Sequence, residues 1–145
     1  AGGQLIDEWK VAGNNPYHLQ VYGPNGFFRE FKGDAKDPMA DIACEYQHTT
    51  SNSKKLTGNI ELKIKNAGKQ PLTLEITDNA YKAKAQTKTL KAGTMANVIL
   101  DLSKSSGWYD FSIKINGNDL FEKRYAGRVE TGNVSITDPL MGGVV

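Results

Sequence analysis

Apolar and polar residues alternate along most of this chain, and the alternation is cleanest between Gly107 and Gly132. Tyr109, Phe111, Ile113 and Ile115 fall at every second position with Asp110, Ser112 and Lys114 between them, the pattern of a strand with one apolar and one wet face. Asn116-Gly117-Asn118-Asp119 then supplies residues that tolerate φ > 0, as tight hairpin turns require. Phe121 and Tyr125 resume the apolar face beyond it. The stretch predicts a β-hairpin that lines a core.

Similar runs precede it. Tyr17 to Tyr22 places Tyr17, Leu19 and Val21 on one face, and Gly23-Pro24-Asn25-Gly26 turns the chain so that Phe27 to Phe31 returns beside it. Met39 to Gln47 forms a third strand, and the polar run from His48 to Ser53 is a surface loop. Ile60, Leu62 and Ile64, then Leu72, Leu74 and Ile76 across Asn66 to Pro71, predict a second antiparallel pair. Asp78 to Tyr81 breaks the pattern. Beyond it Lys82, Lys84, Gln86 and Lys88 alternate with smaller residues, Lys91-Ala92-Gly93-Thr94 turns, and Val98, Leu100 and Leu102 mark another strand. Residues 1 to 16 read as a loop-like lead, and residues 129 to 145 as an irregular tail rich in Gly and Pro. About nine short strands without a sustained helical period predict an all-β, antiparallel β-sandwich, with a β-barrel as the alternative.

Length and charge narrow the classes. The 145 residues suit one domain spanning 1–145. No apolar run approaches the ~20 residues that a membrane-spanning helix needs. Ala1-Gly2-Gly3 lacks the charged start and apolar run of a cleavable leader, so export is not legible at that end. A net charge of +2 without a basic stripe interleaved with aromatics speaks against nucleic acid as a partner. Cys44 is the single cysteine, which excludes an intrachain disulfide, and its alternation with Ile42 and Tyr46 predicts a buried core thiol.

No catalytic or cofactor motif stands out. His18 and His48 belong to no metal-ligand spacing and are expected to be exposed. There is no nucleophile elbow, dinucleotide fingerprint, phosphate loop or zinc cysteine pair. Asp34, Asp37 and Asp41 do not follow an EF-hand spacing, which leaves only a calcium site assembled from distant loops. The docking candidates are Lys82, Lys84, Lys88 and Lys91, then Trp108, Phe27 and Phe28. The lysines read either as protection of an edge strand or as a face for anionic lipid, phosphate or an acidic partner. Trp108 must face away from the core if Tyr109 faces into it, and the same logic turns one of Phe27 and Phe28 outward.

Several phrases carry a resemblance: VYGPNGFFREFKGD at Val21 to Asp34, DNAY at Asp78 to Tyr81, GWYDFSIKI at Gly107 to Ile115, and FEKRYAGRVETGNVSITDP at Phe121 to Pro139. Together the chain resembles the C-terminal domain of bacterial phosphatidylcholine-hydrolysing phospholipases C. That resemblance implies a non-catalytic accessory domain of a secreted or periplasmic enzyme, beside a catalytic domain and in some cases a tandem sister domain. Arg128 stands where many relatives carry histidine, so no histidine role transfers there. The expected function is docking at a lipid surface or stabilisation of the catalytic domain, without a cofactor. The alternative is a carbohydrate- or surface-binding sandwich module.

Overall fold

A computed structural model describes residues 10, 13, 15–134 and 136–141. Among these residues nine strands form two antiparallel sheets packed as a sandwich. The strands are β1 (Tyr17–Tyr22), β2 (Phe28–Gly33), β3 (Ala40–His48), β4 (Leu56–Asn66) and β5 (Leu72–Asp78), followed by β6 (Gln86–Leu90), β7 (Met95–Leu100), β8 (Trp108–Ile115) and β9 (Asn118–Arg128). The six-stranded sheet runs β1-β2-β9-β8-β5-β6, and the three-stranded sheet runs β3-β4-β7. Each sheet keeps two open edges, so no barrel closes.

The β8–β9 hairpin forms the middle of the larger sheet, because its apolar face is long enough to be covered along its whole length. Tyr109, Phe111, Ile113 and Ile115 are buried, as are Phe121 and Tyr125 across from them. They meet Ile60, Leu62, Ile64 and Val98 from the smaller sheet. Full burial of a side chain such as Ile113, at 0% exposure, contributes about 1.5–3 kcal/mol. Asn116-Gly117 makes the turn, with φ of 82° at Gly117. Gly127 is required for a different reason: a Cβ there would lie 2.9 Å from the Tyr109 hydroxyl.

The β1–β2 hairpin pairs as expected, from Tyr17 opposite Gly33 to Tyr22 opposite Phe28. The expected pairing of the Ile60–Ile64 run with the Leu72–Ile76 run is not found. β4 pairs with β3 and β7, while β5 pairs with β6 and β8 in the other sheet. The segment between them crosses the sandwich, and Asn66 fixes the crossing. Its fully buried amide donates to the Gln70 carbonyl at 2.7 Å and the Leu90 carbonyl at 3.2 Å, and its Oδ1 accepts from the Gly68 amide. Alternation shows that two neighbouring strands each bury one face, but either pairing or facing across a core satisfies it.

The wet face of β8 is also drier than its sequence predicts. Ser112 is buried because Asn79 reaches over it, donating to Ser112 Oγ and Asp110 Oδ1, while Ser112 Oγ itself donates to Glu122. The expected loop-like lead over residues 1 to 16 falls largely outside the described residues. In the tail, the described residues after Arg128 contain no strand.

Candidate functional site

The lysines expected on one strand are divided between two structures. Only Lys88 lies within β6, and Lys91 follows it in the turn closed by the Thr94 amide on the Lys91 carbonyl. Lys82 and Lys84 precede β6 and belong to no strand. The cause is Asp78, at the end of β5. Its Oδ1 accepts the amides of Ala80 and Tyr81, each at 2.8 Å, and its Oδ2 accepts the amide of Ala83 at 3.0 Å. These bonds wrap the chain around one carboxylate instead of releasing the amides to a ladder. Lys82 takes φ of 61° at the apex, in the left-handed region that few non-glycine residues occupy.

This loop forms one wall of a cavity of about 510 Å³ between the two sheets, on the side where β6 and β7 are both edges. Ile76, Tyr109 and Phe111 line it from the larger sheet, and Leu100 and Leu102 from the smaller sheet and its continuation. Lys82, Lys84 and Lys104 also line it. None of the three belongs to an ion pair within 4 Å among the described residues. Three carboxylates line the cavity as well, each with hydrogen-bond partners. Asp78 serves the loop amides, Asp101 accepts the Ser103 amide, and Asp110 is held by Arg124 at 2.9 and 2.7 Å. The hydrogen bonds from Ser103, backbone first, hold the Asp101 carboxyl below its ordinary value, with Lys104 adding to the effect. Burial raises the Asp110 carboxyl, but Arg124 and Asn79 outweigh it and leave the group below its ordinary value.

The aromatic candidates sit elsewhere. Phe28 faces outward from β2, its ring 4.9 Å from that of Tyr22, with the Arg124 guanidinium 5.4 Å from its centroid. Phe27 lies just before the strand beneath the Arg29 guanidinium, at 4.1 Å. Trp108 begins β8 on the outward face and donates its indole N–H to the Ile136 carbonyl. Four strand spacings separate β2 from β6, which at ~4.8 Å each places Phe28 about 19 Å from the Lys88 edge. Phe28 and the Lys88 edge therefore do not make one patch, while Trp108, on β8, is two strand spacings from β6.

Two groups that sequence reasoning did not single out have unusual surroundings. Glu30 is buried on the outer face of β2, 2.7 Å from His18 Nε2 and 2.6 Å from Gln20 Nε2. Burial pushes its carboxyl up, but His18, Gln20 and Lys32 together hold it below the ordinary value. Lys123 points to the inner face of β9, where burial lowers its pKa against the attraction of Asp37 and Asp41. Their alternation with apolar neighbours is the only sequence signal of either.

Cys44 faces the core as its pattern predicts but is half-buried rather than fully buried, and burial pushes its thiol up to about 11, far from a reactive thiolate. His18 and His48 are exposed side chains, although His18 is engaged by Glu30. Asp37 accepts the Tyr17 hydroxyl and the Asp34 amide. Among the described residues no group of three or more His, Cys, Asp or Glu is placed to hold a metal ion. Nor is any helix among them long and apolar enough to cross a membrane.

Comparison with known proteins agrees with the quoted phrases. The family described as the C-terminal domain of bacterial phospholipase C matches residues 1–34 and 40–128. A non-hemolytic phospholipase C of Pseudomonas aeruginosa is 34% identical over 140 residues, which cover 96% of this chain and 20% of that protein. A non-hemolytic phospholipase C of Burkholderia pseudomallei is 36% identical over 142 residues, covering 95% of this chain and 20% of the relative. A hemolytic phospholipase C of Pseudomonas aeruginosa is 34% identical over 135 residues, or 88% of this chain and 17% of the relative. The chain thus spans about a fifth of the length of these relatives. With the profile matched on both sides of the β2–β3 loop and through the last strand, the chain belongs to the family of bacterial phospholipase C C-terminal domains.

Proposed function

We propose that this chain is a non-catalytic accessory domain of an exported bacterial phospholipase C, and that it helps the neighbouring catalytic domain meet anionic lipid surfaces. The observation that carries this reading is the β6 side of the sandwich. Lys82 and Lys84 precede β6, Lys88 lies on it and Lys91 follows it, and none of the four belongs to an ion pair within 4 Å among the described residues. A lysine that reaches an anionic surface contributes about 1 kcal/mol, so four together give weak, reversible attachment of up to ~4 kcal/mol. Such binding must fade with salt, because the screening length falls from about 8 Å at physiological ionic strength to about 3 Å at 1 M.

Vesicle sedimentation tests the reading. The chain should pellet with phosphatidylglycerol vesicles and not with phosphatidylcholine vesicles, and replacing all four lysines by glutamine should abolish pelleting. Binding that persists at 1 M salt, or binding to neutral vesicles alone, refutes the electrostatic mechanism. No vesicle binding, with tight association to the catalytic domain, leaves the domain a stabilising partner instead.

A carbohydrate-binding reading has one specific observation in its favour. Tyr22, 73% exposed, stands beside Phe28 on the outer face, near the hydrogen-bonding side chains of Gln20 and His18. Retention on a glycan array, lost in Tyr22→Ala, would favour it over lipid docking.

A further inference from the structure

The cavity between β6 and β7 combines two features that single-strand patterning hides. Its floor is apolar core: Ile76, Leu102, Tyr109 and Phe111 are all buried residues that line it. The Tyr109 hydroxyl accepts from Arg29 Nη2 at 3.0 Å, which leaves the tyrosine ring to serve as wall. The mouth has the opposite character: Lys82, Lys84 and Lys104 line it together with Asp78, Asp101 and Asp110, of which Asp110 is paired with Arg124 while Asp78 and Asp101 accept backbone amides.

We infer that this cavity takes one acyl chain of an anionic lipid, with the three lysines on the phosphate at its mouth. Its volume of about 510 Å³ falls within the roughly 300–1,000 Å³ of sites for drug-sized ligands, which are mostly apolar with a few placed polar groups. Charge decides the class of headgroup. With Asp110 paired to Arg124, three ammonium groups, none in an ion pair within 4 Å among the described residues, outnumber the carboxylates of Asp78 and Asp101, which favours phosphate over choline alone or a neutral sugar, and lysine meets phosphate as a point charge. Lys82 is held in the left-handed region by the Asp78 loop, a strained position of the kind that persists where surrounding structure imposes it. The inference rests on the lipid-docking reading but names a defined, saturable site where that reading needs only a charged edge.

Alkyl phosphates below their critical micelle concentration separate the two. Calorimetric titration of this chain with decyl phosphate should saturate at one per chain, and inorganic phosphate alone should give no saturation. Each methylene that enters an apolar site raises affinity about fourfold, so decyl phosphate should bind about fifteenfold more tightly than octyl phosphate. Methyl resonances of Ile76, Leu100 and Leu102 should shift on titration. Ala85→Trp, at an exposed lining residue outside the strands, should occlude the site and weaken decyl phosphate at least tenfold, with its fold verified by retained methyl dispersion. Lys82→Gln/Lys84→Gln/Lys104→Gln should weaken it similarly without adding bulk. A titration without saturation, no chain-length dependence, or unaltered binding by Ala85→Trp overturns the inference. Vesicle pelleting that survives in Ala85→Trp while decyl phosphate fails in the parent chain overturns the cavity alone. Saturable decyl phosphate binding without vesicle pelleting overturns only the docking edge.

Discussion

The two arms of the β8–β9 hairpin and the segment from Lys82 to Lys88 all alternate in sequence, yet only the arms of the hairpin are strand along their whole length. In β8 the alternating residues are large and apolar, so burying them fixes register, and a slip of one residue would expose Phe111 and Ile113. In Lys82 to Lys88 the alternating residues are lysine, glutamine, alanine and threonine, which gain little from either face. With no burial to enforce a ladder, the Asp78 carboxylate takes the amides of Ala80, Tyr81 and Ala83, and β6 starts only at Gln86. Alternation specifies a strand when one of its faces has somewhere to go.

Truncation within the two regions gives the largest contrast. Ile113→Ala removes a fully buried side chain from the centre of the larger sheet and should cost about 2–5 kcal/mol, read as a lower urea midpoint at unchanged slope. Thr87→Ala, exposed on β6, should stay within about 0.5 kcal/mol. Comparable costs at the two positions would mean that the edge is as tightly specified as the centre.

Asp78→Ala addresses the capture of the chain before β6. Losing a carboxylate that accepts three backbone amides should cost about 1–2 kcal/mol, the scale of a lost helix cap or of hydrogen bonds to a charged group. Hydrogen exchange should accelerate at Ala80, Tyr81 and Ala83 and remain slow from Phe111 to Ile115. Unchanged protection of the three amides would show that something other than Asp78 holds the loop.

The same contrast explains what the sequence made legible. The β1–β2 and β8–β9 hairpins could be read because turn residues sit between two apolar faces, and the sandwich followed from their number. The pairing of β4 could not, since Ile60, Leu62 and Ile64 bury equally well beside β5 or across the core from it; β4 pairs with β3 and β7, and the amide of Asn66 holds the segment that leads to β5. The docking candidates were legible as residue types only. Lys104 was missed because its partners at the cavity, Lys82 and Lys84, lie about 20 residues away in sequence and meet it only through the packing of two sheets.

The smallest expected effect on stability concerns Lys88, which the structure separates from its neighbours. It lies on the edge strand opposite Leu74, on the face of the sheet that looks toward the core, while remaining exposed. A charge pointing inward on an open edge blocks addition of another strand, because pairing would strip water from the ammonium group. Lys84 has no such position, since it lies off the ladder. Lys88→Val should therefore leave the urea midpoint within about 0.5 kcal/mol of the parent while producing concentration-dependent association in sedimentation velocity. Lys84→Val should remain as monodisperse as the parent. If both variants associate equally, hydrophobic surface alone drives the contact; if neither does, Lys88 does not guard the edge, and its place on β6 is left to serve lipid docking.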